Sequence, residues 1–441
     1  MGNILIRHVD VVTLDDAGTI LRDVDVAIEG RVIRAIGAAP PDFRADEVIE
    51  GTDHVAMPGF FNAHCHAPMT FERGWAEDLP LDRWFNERIW VAESALTEED
   101  VYWGAALAAC EMIRSGTVAF ADHYFYMDRV AEVVEQSGLK AALTWCVFGI
   151  GAEAEIGPGL AGTIEFVKRW QGGADGRIRT LLGPHSPYVC PPDFLAEVAT
   201  RAKDLGVGLH IHVAESQEQV QNSLRLHGRT PVAHLERLGV FDVPCIAAHC
   251  IYLTEDDRRI LAERGVHVVQ CPKTHLKLAM GTTPVPALLA QGVNVALGSD
   301  GPGSNNSMDM FEVARLAALI QKHALGDATV LPGDTVLRLA TRNGARAMGF
   351  EESGVLAPGR PADLILVDFR RPHLRPRHSL IANLVYAACG GDVSHVIVDG
   401  RLLMRDGELL TLDEERILAE AERRAWRMVG EEMRIVREYR A

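Results

Sequence analysis

The chain has 441 residues, 48% apolar and 24% charged, with a formal net charge of −17. The length suits one α/β barrel of ~250 residues with a smaller companion domain. The acidic balance, with no block of five like charges, argues against a nucleic-acid backbone as partner, and no apolar stretch reaches the ~18–20 residues of a membrane span.

The opening MGNILIRHVDVVTLDD alternates apolar and polar residues as a strand does and does not read as a signal peptide. It resembles a myristoylation start only weakly, because Ile6 stands where Ser or Thr is wanted. Residues 1–56 continue as short strands with glycine turns, and the same texture returns in ADLILVDF and HVIVDGRLLMRDGEL near the end. Both flanks, 1–56 and 358–441, therefore read as antiparallel β structure. Between them, over 57–357, short apolar strands alternate with helical segments, the pattern of βα units. Eight strands are expected, in FFNAHCH, TVAFADHYF, AALTWCVFG, IRTLLGPHS, GLHIHVAE, CIAAHC, HVVQCP and NVALGSDG. The segment TEEDVYWGAALAACEMIRSG opens with Thr97 and Asp100 in a capping arrangement and closes at Gly116. The fold class expected is α/β, a (β/α)8 barrel, with a charged helix over 413–440 packed on its outside. The eight cysteines form no CxxC pair and sit mostly in apolar runs, which suits reduced, buried thiols and a cytoplasmic protein.

The polar residues gather at the C-terminal ends of these strands, where barrel enzymes build their sites. His64 and His66 are two apart on one strand and share a face, so both can reach one metal ion. His185 ends strand four, His212 and Glu215 strand five, His249 strand six and Asp300 strand eight. A lone histidine is usually a hydrogen-bonded structural residue. The pair joined by His212 and Asp300 on the same rim points to a metal site, since imidazole suits zinc, iron or cobalt and Asp adds an oxygen ligand. Spacing alone does not choose between His210 and His212; the rim favours His212, with His210 deeper in the barrel. Glu215 is either a proton shuttle beside the metal or an N-terminal charge on the helix that ESQEQVQN begins.

These stretches, PGFFNAHCHAPMTFERGWAEDLPLDRWF, GPHSPY, HIHVAES, AAHCIYL, KLAMGTTPVPALLAQGVNVALGSDGPGSNNSMDMFEVARLAAL and APGRPADLILVD, resemble the amidohydrolase superfamily. Within it they resemble the S-adenosylhomocysteine/5′-methylthioadenosine deaminases, over nearly the whole chain. The resemblance implies a distorted (β/α)8 barrel over 57–357 with a small β-sandwich domain built from both termini, 1–56 and 358–441. It also implies one divalent metal, zinc by preference with Fe2+ as the alternative, held by His64, His66, His212 and Asp300. It implies Glu215, His249 and Asp300 as catalytic residues. Glu93 matches an acid that contacts ribose hydroxyls, and His185 a substrate-contacting histidine. Ser304 lies beside Asp300 and lines the pocket or caps a helix.

Where the branch commonly carries an arginine near the end of strand three, this chain has Trp145. An arginine there suits the carboxylate of an amino-acid tail. Trp145 is thus expected among the substrate-binding residues, with S-adenosylhomocysteine disfavoured against adenine nucleosides bearing an uncharged 5′ group. The alternatives are a guanine, pterin or triazine aminohydrolase or chlorohydrolase, and a non-catalytic scaffold, against which all four metal-ligating positions stand. The expected partner is a small heterocyclic substrate, with no nucleic acid and no membrane; homo-oligomer formation stays open.

Overall fold

The structure is a computed structural model and describes residues 2–150 and 156–429. Eight strands, Phe60–Cys65, Thr117–Tyr124, Lys140–Val147, Ile178–Pro184, Gly208–Val213, Cys245–His249, His267–Gln270 and Asn294–Leu297, pair in chain order. Every neighbouring pair is parallel, as right-handed βα crossovers require. They are the barrel strands expected from the sequence, one to eight. Most of their residues are buried, so they read as continuous apolar runs rather than alternating ones.

The ring closes between strands eight and one just beyond the last ladder. The Asp300 amide donates to the His64 carbonyl at 3.0 Å. The Asn62 side chain accepts from the Ser299 amide at 2.9 Å and donates to the Ser299 hydroxyl at 2.7 Å. A Cβ at Gly298 would stand 2.7 Å from the His64 carbonyl oxygen, so only glycine lets the two strand ends approach this closely.

The two termini form a second sheet of nine strands. The expected sandwich takes the form of one continuous hydrogen-bonded sheet. Its seam is the antiparallel pairing of His54–Pro58 with Leu364–Asp368, which joins the chain's first and last parts. Period-two alternation then divides two cores. Ala56, Leu364 and Leu366 pack with Ile6, Val9, Val26, Ile28 and Ile33 in the sheet's own core. Val55, Met57, Ile365 and Val367 face the other way, into the barrel's core.

Thr97 and Asp100 make the expected capping box on the helix Glu98–Arg114, with the Thr97 amide 2.9 Å from the Asp100 carboxylate. The C-terminal helix runs over Glu414–Val429 and packs on that same helix. Arg424 pairs with Asp100 at 3.3 Å, and Arg114 with Glu414 at 2.5 Å. The remainder of the segment expected to be helical, 430–440, lies outside the described residues.

A buried ion cluster ties the barrel to the terminal sheet. Lys140 opens barrel strand three, and its ammonium lies 2.5 Å from Asp363 and 2.7 Å from Asp399, with only 4% of the side chain exposed. Removing the lysine would leave two carboxylates uncompensated in a dry site. Lys140→Met is therefore expected to lower the unfolding free energy by about 3–5 kcal/mol, measured as the shift of a urea or thermal unfolding midpoint. An unchanged midpoint would show that the cluster does not hold the two parts together.

Candidate active site

The strand ends carry a local irregularity that turns side chains inward over the barrel mouth. Ala214, His249, Cys250 and Asp300 all have positive φ, between 47° and 73°. Each non-glycine residue in this region costs about 1 kcal/mol or more, and these cluster where strands five, six and eight end.

His64, His66 and His212 point their Nε2 atoms toward one another and toward Asp300. His66 Nε2 lies 3.2 Å and His64 Nε2 3.5 Å from Asp300 Oδ1, and His212 Nε2 lies 3.4 Å from His66 Nε2. Their other ring nitrogens are held from behind. His66 Nδ1 is 2.5 Å from the His123 carbonyl, and His212 Nδ1 is 2.8 Å from the His185 carbonyl. A carbonyl accepts only, so both Nδ1 atoms carry the proton and both Nε2 atoms present lone pairs. Two buried lone pairs then face each other across 3.4 Å, repulsive unless a cation lies between them. The separation is that of two imidazole ligands on a tetrahedral ion with ~2.1 Å bonds. His64 Nε2 is buried without a hydrogen-bond partner, while His64 Nδ1 rests 2.8 Å from His210 Nε2. These residues fit a divalent metal on both lone-pair and charge grounds. His210 sits behind His64, in agreement with a place deeper in the barrel.

Burial pushes the His64 imidazole well below its usual range and, with His66 beside it, takes His212 to about 4. For His66 burial acts in the same direction, but the Asp300 carboxylate outweighs it and the net shift is upward. Asp300 is buried too, yet the imidazoles of His64 and His66 beside it hold its carboxyl well below the usual carboxylate range. Asp300 is further fixed by the Gly301 amide at 2.9 Å and by the Ser304 hydroxyl at 3.1 Å. Ser304 thus anchors the carboxylate and also lines the cavity, without capping a helix.

Glu215 faces the same space. One carboxylate oxygen lies 3.3 Å from His249 Nε2. The other accepts from the Tyr188 hydroxyl and, at 2.8 Å, from the Gln219 amide. Gln219 belongs to the capping box that Ser216 begins, so the helix cap and the carboxylate share one side chain. His249 is braced in turn by His275, 3.1 Å from its Nδ1.

Glu93, His185, Ser304, Glu215, His249 and Asp300 all line one cavity with His66 and His212. Glu93 is buried rather than solvated. Burial raises its carboxyl to about 7, against the pull of Tyr124 and His66. The ring of His185 stacks on Phe148, with centroids 5.2 Å apart. The helical segment Leu81–Glu93 supplies an aromatic roof from Trp84, Phe85 and Trp90.

Trp145 is the exception. Its indole N–H donates to the Ile156 carbonyl at 3.4 Å, and its ring packs on Phe166, outside the cavity. The reason is strand alternation: Cys146 and Phe148 take the inward places, so Trp145 points toward the helix Gly159–Trp170. The basic residues that could have replaced an arginine are committed elsewhere, Lys140 in the ion cluster and Arg169 to Asp128 at 2.7 Å. No Lys or Arg lines the cavity among the described residues.

Four residues of the site escaped the sequence. His123 lines the cavity and its carbonyl orients His66; it sits at the end of strand two, where the strand-end rule would have flagged it. His275 follows strand seven in a short helix, with no motif of its own. Tyr188 lies inside GPHSPY, and Tyr124 beside Glu93 ends strand two.

Comparison with known proteins fits this geometry. Residues 55–403 match the model of the amidohydrolase family, and the chain belongs to that family. It is accordingly a hydrolase acting on carbon–nitrogen bonds. A 5-methylthioadenosine/S-adenosylhomocysteine deaminase of Pelotomaculum thermopropionicum is 47% identical over 435 residues, 98% of this chain and 100% of that protein. One of Moorella thermoacetica is 49% identical over 428 residues, 96% of this chain and 99% of that protein. Among solved structures, an adenosine deaminase from Xanthomonas campestris with bound zinc superimposes with a TM-score of 0.92 at 35% identity, covering 97% of this chain and 98% of that one. An atrazine chlorohydrolase of Arthrobacter aurescens complexed with zinc gives 0.88 at 25% identity, covering 96% and 100%.

Proposed function

We propose that the protein is a metal-dependent hydrolytic deaminase of adenine nucleosides with an uncharged 5′ group, such as 5′-methylthioadenosine or 5′-deoxyadenosine. The observation that carries this is the Glu215–His249 pair, at 3.3 Å, lining the same cavity as the metal-binding cluster. The names of the relatives above support the substrate class. His64, His66, His212 and Asp300 would hold the ion, zinc by preference with Fe2+ as the alternative. Bound there, it supplies Lewis-acid activation of a water at neutral pH.

The protein's own groups do the rest. Asp300 takes a proton from the attacking water, and His249 hydrogen-bonds the attacking oxygen and stabilises the charge that develops there. Glu215 delivers a proton to the ring nitrogen beside the attacked carbon and then one to the departing ammonia. Tyr188 and Gln219 keep one of its oxygens occupied, so the other faces the reaction. The C–NH2 group becomes C=O and ammonia leaves. Glu93 accepts the ribose hydroxyls, His185 and Phe148 flank the substrate, and the aromatic roof excludes water. The guanine, pterin or triazine alternative leaves a buried carboxylate at Glu93 without a sugar to bind.

The case against S-adenosylhomocysteine rests on the cavity and no longer on Trp145. The carboxylates Glu93, Glu215 and Asp300 line it with no cation among the described residues. A carboxylate on the substrate's tail would be desolvated without a partner, which costs several kcal/mol unless the tail reaches solvent.

Three outcomes are expected. Elemental analysis should find about one divalent ion per chain that survives dialysis, and a strong chelator should abolish activity until metal is restored; active protein without metal would remove the ion from the mechanism. Glu215→Gln should keep that ion and lose activity by about 10²–10⁴-fold, since the amide preserves shape without carrying the proton. In steady-state kinetics, kcat/KM should be higher for 5′-methylthioadenosine and 5′-deoxyadenosine than for S-adenosylhomocysteine. If the homocysteine compound is the best substrate, the inference from the cavity's charge is wrong; if purine bases or triazines release ammonia faster than any nucleoside, the substrate class is wrong.

A further inference from the structure

Outside the barrel mouth, one cluster brings together three different metal-binding groups that the deamination does not use. His373, Cys389 and Asp392 place an imidazole nitrogen, a thiol and a carboxylate oxygen within 4.8 Å of one another. His373 stands in the turn Pro372–Leu374 that follows the seam strand Leu364–Asp368. Cys389 and Asp392 bracket the turn Gly390–Asp392 that leads into the strand Val393–Val398. Two segments of the terminal sheet domain therefore supply the groups.

The spacing is close to that of a bound ion. Asp392 Oδ2 lies 2.9 Å from His373 Nε2 and 3.4 Å from Cys389 Sγ. Around a tetrahedral zinc with bonds of ~2.3 Å to sulfur and ~2.0–2.1 Å to nitrogen and oxygen, neighbouring ligand atoms stand ~3.3–3.5 Å apart. The third pair, the Cys389 thiol and the His373 imidazole, lies within 4.8 Å, and an ion between them would draw the two together. The carboxylate is buried and fixed, since Asp392 accepts from the Cys389 amide at 2.9 Å. The turn is fixed as well: the Gly390 amide donates to Asp309 at 2.9 Å, and a Cβ on Gly390 would meet Ser115 at 2.7 Å. The other two groups are accessible. The His373 side chain is 47% exposed, and Cys389 is the exposed one of the eight cysteines.

An ordinary turn accounts for part of this. Asp392 closes the turn's cap through the Cys389 amide, and His373 makes a surface ion pair with it. The Cys389 thiol belongs to the same capping box, but that role does not bring an imidazole from the other segment onto the same carboxylate oxygen.

We propose that His373, Cys389 and Asp392 form a second divalent-metal site of zinc type, with a water in the fourth position. Thiolate and imidazole select zinc over magnesium or calcium. On binding, Cys389 releases its thiol proton to solvent as the sulfur–metal bond forms, neutral His373 donates its Nε2 lone pair, and Asp392 contributes one carboxylate oxygen. Two negative ligands balance the ion's charge. The ion would clamp the 372–374 turn to the 389–392 turn, beside Asp309, which caps the helix Met310–Leu325.

Cobalt titration of the full chain, loaded beforehand with zinc at the barrel mouth, tests this. Sulfur bound to Co2+ gives a near-ultraviolet charge-transfer band, and the ligands proposed at the mouth contain no sulfur, so the band reports this cluster alone. The expected result is a saturable band at about one equivalent that is displaced by excess zinc. It should be absent from Cys389→Ser, and in His373→Ala the affinity should fall by about tenfold or more. Deamination should be unchanged in both variants. The proposal is overturned if no band forms, if the band persists in Cys389→Ser, or if His373→Ala binds cobalt as well as the parent, the behaviour of a lone surface thiol.

Discussion

Much of this molecule follows from placing three imidazoles and one carboxylate in a site too dry to solvate them. The protons on His66 Nδ1 and His212 Nδ1 are committed to backbone carbonyls, so the nitrogens that face inward cannot become donors by changing tautomer. Left alone, the cluster is a set of mutually repelling acceptors. A divalent cation turns the same set into an attractive one. The carbonyls that enforce the tautomers belong to His123, on strand two, and to His185, directly after strand four. The donor set is therefore defined by strands that contribute no ligand, and its geometry depends on the whole ring of parallel strands keeping register.

That dependence explains where irregular backbone is tolerated. The left-handed residues at the ends of strands five, six and eight turn Glu215, His249 and Asp300 over the mouth, whereas regular strand would carry them past it. The cost is offset by a closed barrel with a large shared core and by ties such as Asp300 to His64 across the closure. Each tie serves fold and site at once. The Ser216 capping box orients the Glu215 carboxylate through Gln219, and Ser304 holds Asp300 while lining the cavity.

The cavity divides its labour by polarity. Its floor carries the imidazoles and carboxylates, and its roof carries Trp84, Phe85 and Trp90. Such a roof stacks on a flat base and covers an apolar substituent at little desolvation cost. It offers nothing to a carboxylate. Under the proposed function, selectivity among 5′ groups would follow from the lack of Lys or Arg among the described residues that line the cavity.

Much of this was legible in the sequence because it depends on local periodicity. Polar residues after apolar runs at the ends of five of the eight strands located the barrel rim, and the two-residue spacing of His64 and His66 put both on one face. The two flanks carried matching β texture, and the family resemblance joined them in one domain. Trp145 shows where local periodicity is not enough. Its strand was identified, but which of two alternating faces turns inward is decided by the neighbouring strands and by the helix Gly159–Trp170 that covers it. Glu93 was assigned by resemblance alone, because nothing nearby in the chain buries it; packing beside Tyr124 does. His275 and Tyr188 matter only through contacts with His249 and Glu215, 26 and 27 positions away. By itself the sequence determined which groups are available and on which elements they ride. Only the tertiary structure decided which of them meet, because the closing of the ring brings residues 64 and 300 together, and no local pattern encodes a distance across a barrel.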